Sequence, residues 1–223
     1  MKLTHIGLEA RVSFERDCVN EWIIESPDLF MKYIRELLNQ TNGYEGNFVL
    51  SEEDKIEKIS KSVEVIINPF DVDVNDKKIL NKIYDNLKSI SIDEKNYVDT
   101  REITHLILRY IINIANDSDY IMDIDNEIDM TMLFKAAGVR LEQNPEDFIG
   151  NILKYIELTK DVLKKKLVVL VNFRNYINDI QYNEFIKMSR YKKLNILLME
   201  NTKKNTVSDV KQFVLDKDEC EIF

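Results

Sequence analysis

Five consecutive apolar residues, Leu167-Val168-Val169-Leu170-Val171, constrain the fold of this chain more than any other feature. Three of the five are β-branched, which stiffens their side chains and favours extended backbone. No polar residue alternates with them, so the segment has no face suited to water. A strand of this kind belongs where both faces are covered, as in a parallel sheet flanked by helices.

The surrounding sequence alternates as such a sheet requires. Glu21-Trp22-Ile23-Ile24 reads as a short strand, and Val63 with Val65-Ile66-Ile67 as another, closed by Asn68-Pro69. Leu194 to Met199 and a segment through Phe213-Val214-Leu215 supply two more, with a short one at Val139 and Leu141. Helix signals lie between them. Ser26 suits an N-cap, Pro27 the first helical position and Asp28 the helix dipole, predicting a helix to about Asn39. Asn144-Pro145-Glu146-Asp147 predicts a second helix start, continued by Phe148, Ile149, Ile152, Leu153 and Ile156. A third helix is expected near Ile180 to Ser189. Strands and helices in this order predict an α/β fold with a largely parallel sheet and right-handed crossovers.

One stretch breaks the alternation. Helical spacing runs through Ile79, Leu80, Ile83, Tyr84 and Leu87, then through Ile103, Leu106, Ile107, Tyr110, Ile111 and Ile114. A shorter helix is expected from Thr131 to Ala137, stopped by Gly138. No strand pattern interrupts these helices, so residues 71–138 are expected to be a helical insertion in an α/β domain made of 1–70 and 139–223.

The chain carries 31 basic and 40 acidic residues, a net charge of −9, which alone argues against nucleic acid as a partner. The distribution matters more than the sum. Residues 115–150 hold nine acids against two bases, and residues 160–204 hold eleven bases against four acids. Such a chain can present two faces of opposite sign, either for function or merely as solvated surface. Lys164-Lys165-Lys166 and Lys192-Lys193 each precede a predicted strand. Lysines are favourable at helix C-termini for dipole reasons alone. Entering adjacent parallel strands, the two clusters would also share one sheet edge and make a basic surface. With Lys203 and Lys204, these seven lysines are the candidate DNA contacts. A lysine is a point charge suited to phosphate rather than to base edges.

Catalytic patterns are missing. The five glycines (Gly7, Gly43, Gly46, Gly138 and Gly150) are never followed by Lys, so there is no Walker A loop to cradle a triphosphate. Where that loop belongs, the chain reads Glu25-Ser26-Pro27-Asp28, which is hostile to phosphate. His5 and His105 are the only histidines, and His105 lies in an apolar helical stripe. No serine sits in a nucleophile elbow. The expectation is a protein that binds rather than catalyses. Two cysteines in no metal-type spacing, Cys18 and Cys220, read as buried or free thiols of a reducing compartment. No apolar run approaches the length of a membrane span, and no signal segment is evident, so the cytoplasm is the expected location.

The sharpest acidic feature is Asp123-Ile124-Asp125-Asn126-Glu127-Ile128-Asp129. Alternating carboxylates resemble the early ligand positions of a calcium loop, but Ile128 stands where the turn glycine belongs and Phe134 where the bidentate Glu belongs. The competing explanation is an acidic lead-in to the following helix, held by its dipole.

Four segments in order resemble a known family: NPFDVDVNDKKILNKIYDNL at 68–87, LFKAAGVRLE at 133–142, KKKLVVLVN at 164–172 and FVLDKD at 213–218. The chain is similar to the small CRISPR-associated DNA-end-binding ring proteins of type II-A spacer-acquisition operons, which serve antiviral defence. The resemblance implies an α/β head related to P-loop NTPases but lacking the phosphate loop, and an inserted helical leg. It implies a homotetrameric ring whose basic hole threads onto double-stranded DNA ends, without nuclease or ATPase activity. It also implies Ca²⁺ bound by acidic residues near the leg, for which Asp123, Asp125, Glu127 and Asp129 are the candidates. The implied partners are the integrase pair and the RNA-guided nuclease of the same system. Two rival readings stand beside it: a nucleotide-dependent enzyme, and a protein-binding scaffold with no DNA contact.

Overall fold

The computed structural model describes residues 1–14, 19–53, 55–205 and 210–222. Cys18 lies outside them, and Cys220 is a free, exposed thiol. The chain divides into two compact units, Met1–Val74 with Gln143–Phe223, and Asn75–Glu142. The first unit opens with β1 (Lys2–His5), β2 (Arg11–Ser13), β3 (Val19–Ile24), α1 (Pro27–Thr41), β4 (Phe48–Glu52), β5 (Lys55–Glu57), α2 (Ile59–Ser62) and β6 (Val63–Ile66). The second unit carries α3 (Lys77–Ser91), α4 (Tyr97–Asn116) and α5 (Met130–Ala136). The first unit then resumes with α6 (Phe148–Asp161), β7 (Leu167–Val171), α7 (Asp179–Tyr191), β8 (Ile196–Glu200), β9 (Lys211–Leu215) and β10 (Glu221–Ile222).

The main sheet has the order β10-β9-β3-β8-β7-β6. All its pairings are parallel except that of β10 with β9. The apolar run of β7 is buried at every position, and its side chains alternate between two cores. Leu167 and Val169 join Trp22, Ile24, Leu197 and Met199 under α1. Val168 and Leu170 join Ile196 and Leu198 under α6 and α7, with Ile152, Ile156, Phe185 and Ile186. The sheet is therefore the middle of three layers, which is why its central strands read as unbroken apolar runs.

The third layer includes an element the periodicity did not indicate. An antiparallel sheet, β2-β1-β4-β5, closes the first core through Leu3, Val12, Phe48 and Leu50. Its strands are three to five residues long, too short to display a period. Two local expectations are corrected. Val139 and Leu141 form no strand: the Tyr84 hydroxyl donates to the Val139 carbonyl at 2.7 Å, and the Asn75 amide both donates to and accepts from the Leu141 backbone, at 3.1 and 2.8 Å. Side chains thus take the place of a neighbouring strand. The helix expected from Asn144 starts at Phe148, where Asp147 accepts from the Gly150 amide at 2.8 Å. Asn144 instead accepts from the Glu146 amide at 3.2 Å in the preceding turn.

Within the second unit, α3 buries Ile79 and Tyr84, and the Thr100 hydroxyl donates to the Ser91 carbonyl at 2.7 Å. Helix α4 buries none of its 20 residues. Val98, Ile103, Leu106, Tyr110, Ile112 and Ile114 all stand in solvent. Among the described residues no helix is long and apolar enough to cross a membrane.

Candidate functional site

The junction of β3 and α1 is the place where a phosphate loop would sit. Ser26 caps α1 through its hydroxyl, which accepts from the Leu29 amide at 3.5 Å, while Pro27 removes one amide and Asp28 puts a negative charge in the first turn. The positive end of this helix is already answered from within the chain, and an anion arriving there would meet a carboxylate.

The seven candidate lysines are divided between the two edges of the main sheet. Strands β7 and β8 pair in parallel, so the Lys164–Lys166 and Lys192–Lys193 clusters enter it at the same, N-terminal edge. Lys203 and Lys204 follow β8 at the C-terminal edge. Four of the seven are occupied. Lys165 donates to the carbonyls of Ser60 and Val63 and lies 3.6 Å from Glu64. Lys166 bridges Glu52 and Glu57 at 2.7 and 2.9 Å, and those two carboxylates hold its ammonium above its ordinary pKa. Lys192 pairs with Glu157 at 2.6 Å, and Lys204 donates to the Arg174 carbonyl at 2.6 Å. Lys164, Lys193 and Lys203 carry no such contact among the described residues. Lys164 and Lys193 also share a backbone state: φ is 59° and 51°, the left-handed conformation that ends a helix. Both sit just past the C-termini of α6 and α7, where a cation meets the helix dipole favourably. Lys160 reaches across from α6 and donates to the carbonyls of Lys192 and Lys193, at 3.1 and 3.2 Å.

At the C-terminal edge the structure assembles a buried ionic group that sequence reasoning missed. Arg174, in the turn after β7, is 3% exposed, and its guanidinium donates to Glu21 at 3.1 Å. The Tyr182 hydroxyl donates to the same carboxylate oxygen at 2.5 Å, and Gln212 donates to the other oxygen at 2.6 Å. The guanidinium also lies 3.9 Å over the Tyr182 ring and donates to the Asn205 carbonyl at 3.1 Å. Glu200, at the end of β8, accepts from the Arg174 amide at 3.1 Å. Burial pushes the Glu200 carboxyl up to about 7, reinforced by Glu21 and opposed by the Arg174 amide and the Lys204 and Arg174 charges. Burial, then Glu21, holds the Tyr182 phenol far above its ordinary value, so it stays a donor. The available signal was an acid next to the apolar run Trp22-Ile23-Ile24 of a buried strand, since a buried charge demands a partner.

The acidic segment is arranged differently. Asp123, Asp125 and Glu127 are exposed. Asp129 caps α5, accepting from the Thr131 amide at 2.8 Å and from Lys88 at 3.2 Å. That amide, then the Lys88 ammonium, holds its carboxyl below the ordinary range. Glu127, Asp129, Lys88, Arg101 and the exposed His105 line one open cavity of about 680 Å³. Among the described residues no three of His, Cys, Asp and Glu gather as metal ligands. A calcium site takes six or more oxygens around one point, and in this arrangement the four acids do not converge on one. The other histidine, His5, is buried between the rings of Tyr33 and Phe48 and bonds Glu36 at 3.3 Å.

The comparison with known proteins places this geometry in a lineage. The family model described as "CRISPR-associated protein (Cas_Csn2)" matches residues 40–219, well over half of the chain. The chain belongs to the Csn2 family of CRISPR-associated proteins. A CRISPR-associated protein Csn2 of Enterococcus faecalis is 23% identical over 182 residues, covering 78% of this chain and 79% of that protein. One of Streptococcus agalactiae is 28% identical over 155 residues, covering 66% and 65%. Neither relative bears an enzyme's name. The candidate lysines and acids all lie inside the span matched by the Csn2 model, whereas Glu21 of the buried group lies before it.

Proposed function

We propose that this Csn2-family chain serves CRISPR spacer acquisition as a non-catalytic homotetrameric ring that binds the ends of double-stranded DNA without reading their sequence. The observation that carries DNA binding is the edge at Lys164 and Lys193. Two lysines held in equivalent left-handed positions, each in the turn that leads into one of two neighbouring parallel strands, support a backbone-phosphate contact. Assembly is supported by α4, which buries no residue and exposes apolar side chains from Val98 to Ile114. The capped, acidic start of α1 speaks against the rival reading of a nucleotide-dependent enzyme. Kinship of the head to P-loop NTPases belongs to the proposal too, supported by the parallel β3 that leads into α1 where a phosphate loop would lie.

Calcium has a narrower place. Calcium bound by Asp123, Asp125, Glu127 and Asp129 belongs to the proposal, and binding it requires Asp129 to exchange Lys88 for the ion. An unchanged melting temperature and mass on adding Ca²⁺ removes it from the proposal.

The test is a competition between linear duplex DNA and the same molecule as a covalently closed circle. A ring that threads from an end prefers the linear form, and log affinity falls with log salt at roughly 0.9 per phosphate neutralised. Equal binding to both topologies rejects threading. No binding even at low salt favours the scaffold reading.

A further inference from the structure

At the C-terminal edge of the sheet, the turns after β6 and β7 expose aromatic rings among segments richer in acid than in base. Phe70 follows β6 in a short turn (Pro69–Asp71) and is 64% exposed. It stacks on Phe148, with ring centroids 5.1 Å apart and planes 28° apart. Phe148 stacks in turn on the fully buried Phe173, so the exposed ring is the outer end of an aromatic ladder rooted in the core. Tyr176, 46% exposed, meets Phe70 edge-on at 5.1 Å. Both rings are thus held before any ligand arrives, and little side-chain entropy remains to be lost on docking. Exposed Ile67 and Ile180 flank them in sequence.

Acid outnumbers base around these rings, with Lys203 and Lys204 following β8 at the same edge. The three segments that build the face, 67–74, 144–150 and 173–180, contain five carboxylates and one base. That base, Arg174, is buried against Glu21, also lies 3.6 Å from Asp179, and accepts from Lys204 through its carbonyl at 2.6 Å. All five carboxylates, Asp71, Asp73, Glu146, Asp147 and Asp179, are exposed. Asp71 adjoins Phe70, Glu146 and Asp147 immediately precede Phe148, and Asp179 lies three residues beyond Tyr176. A nucleic-acid backbone is repelled from such a surface. A cation is drawn to it twice, by the carboxylates and by the negative faces of the rings.

We propose that the Phe70–Tyr176 face docks an arginine- or lysine-bearing segment of a protein partner. The occupant's chemistry is fixed by complementarity: a flat or extended cationic side chain lies over the outer face of Phe70, and its charge is answered by the surrounding carboxylates. The face lies at the edge of the sheet opposite Lys164 and Lys193, so removing its rings leaves those two proposed DNA contacts in place.

The probe is a capped peptide, Gly-Arg-Gly-Arg-Gly, observed by ligand-detected NMR against the full chain. Binding shifts the arginine methylene signals upfield through ring currents, and F70A or Y176A weakens the peptide at least threefold. Both residues are exposed, so the variants keep the wild-type circular dichroism, and their affinity for linear duplex stays unchanged. Four results overturn the proposal: no upfield shift with the wild-type chain; equal binding of a peptide with glutamine in place of arginine, which marks a purely apolar patch; displacement by a short oligothymidylate, which marks base stacking; or a shift of the Phe70 ring signals with protein concentration alone, which marks a second copy on the face.

Discussion

Replacing Glu200 by glutamine should stabilise the protein at pH 8 and leave it nearly unchanged at pH 5. Glu200 is 2% exposed, and burial raises its carboxyl from 4.5 to about 7. The folded state therefore keeps a proton that the unfolded chain has already released, and stability falls as pH rises between those values. The gap is worth about 3 kcal/mol once both limits are passed, at roughly 1.36 kcal/mol per pH unit, and most of that lies between pH 5 and pH 8. Glutamine retains an oxygen to accept from the Arg174 amide but has no charge to desolvate, so it removes the pH dependence and keeps the hydrogen bond. Urea unfolding of both proteins at half-unit steps from pH 5 to pH 8 measures this directly. The difference curve should rise by about 2–3 kcal/mol in favour of E200Q across the range. Parallel curves, or a growing advantage for the wild type, would refute the idea that Glu200 is ionised only against the cost of burial.

Three further outcomes follow from the packing and the charges. R174M leaves Glu21 buried without its guanidinium and should cost about 3–5 kcal/mol in urea unfolding; a loss below about 1 kcal/mol contradicts the ion pair's role. The double variant K164A/K193A should weaken duplex binding and flatten the salt dependence by roughly 0.9 for each phosphate no longer neutralised, whereas K166A, which unties Glu52 and Glu57, should lower stability and leave that slope alone. Placing an acid in α4, as in L106D, should reduce the mass found by light scattering without changing circular dichroism, because that position is exposed in the isolated chain; an unchanged mass shows that α4 is not the assembling surface.

Local physics made much of this fold legible. The β7 run declares a doubly covered strand because no residue in it tolerates water, and Ser26-Pro27-Asp28 declares a helix start because cap, proline and acid each satisfy a need of the first turn. The lysine clusters could be placed on one sheet edge from parallel topology alone. What those lysines do there could not be foreseen: Lys165, Lys166 and Lys192 are spent on carbonyls and carboxylates brought near only by folding, and Lys164 and Lys193 are left facing outward. The acidic segment reads as ligand set or as helix lead-in, and nothing local foretells that Lys88, 41 residues earlier, sits on Asp129. The meeting of Glu21 with Arg174 and Tyr182, 153 and 161 residues away, left no periodic trace. Hydrophobic periodicity records only which side of an element faces the core, whereas the pairing of buried charges depends on which strand ends the sheet order brings together.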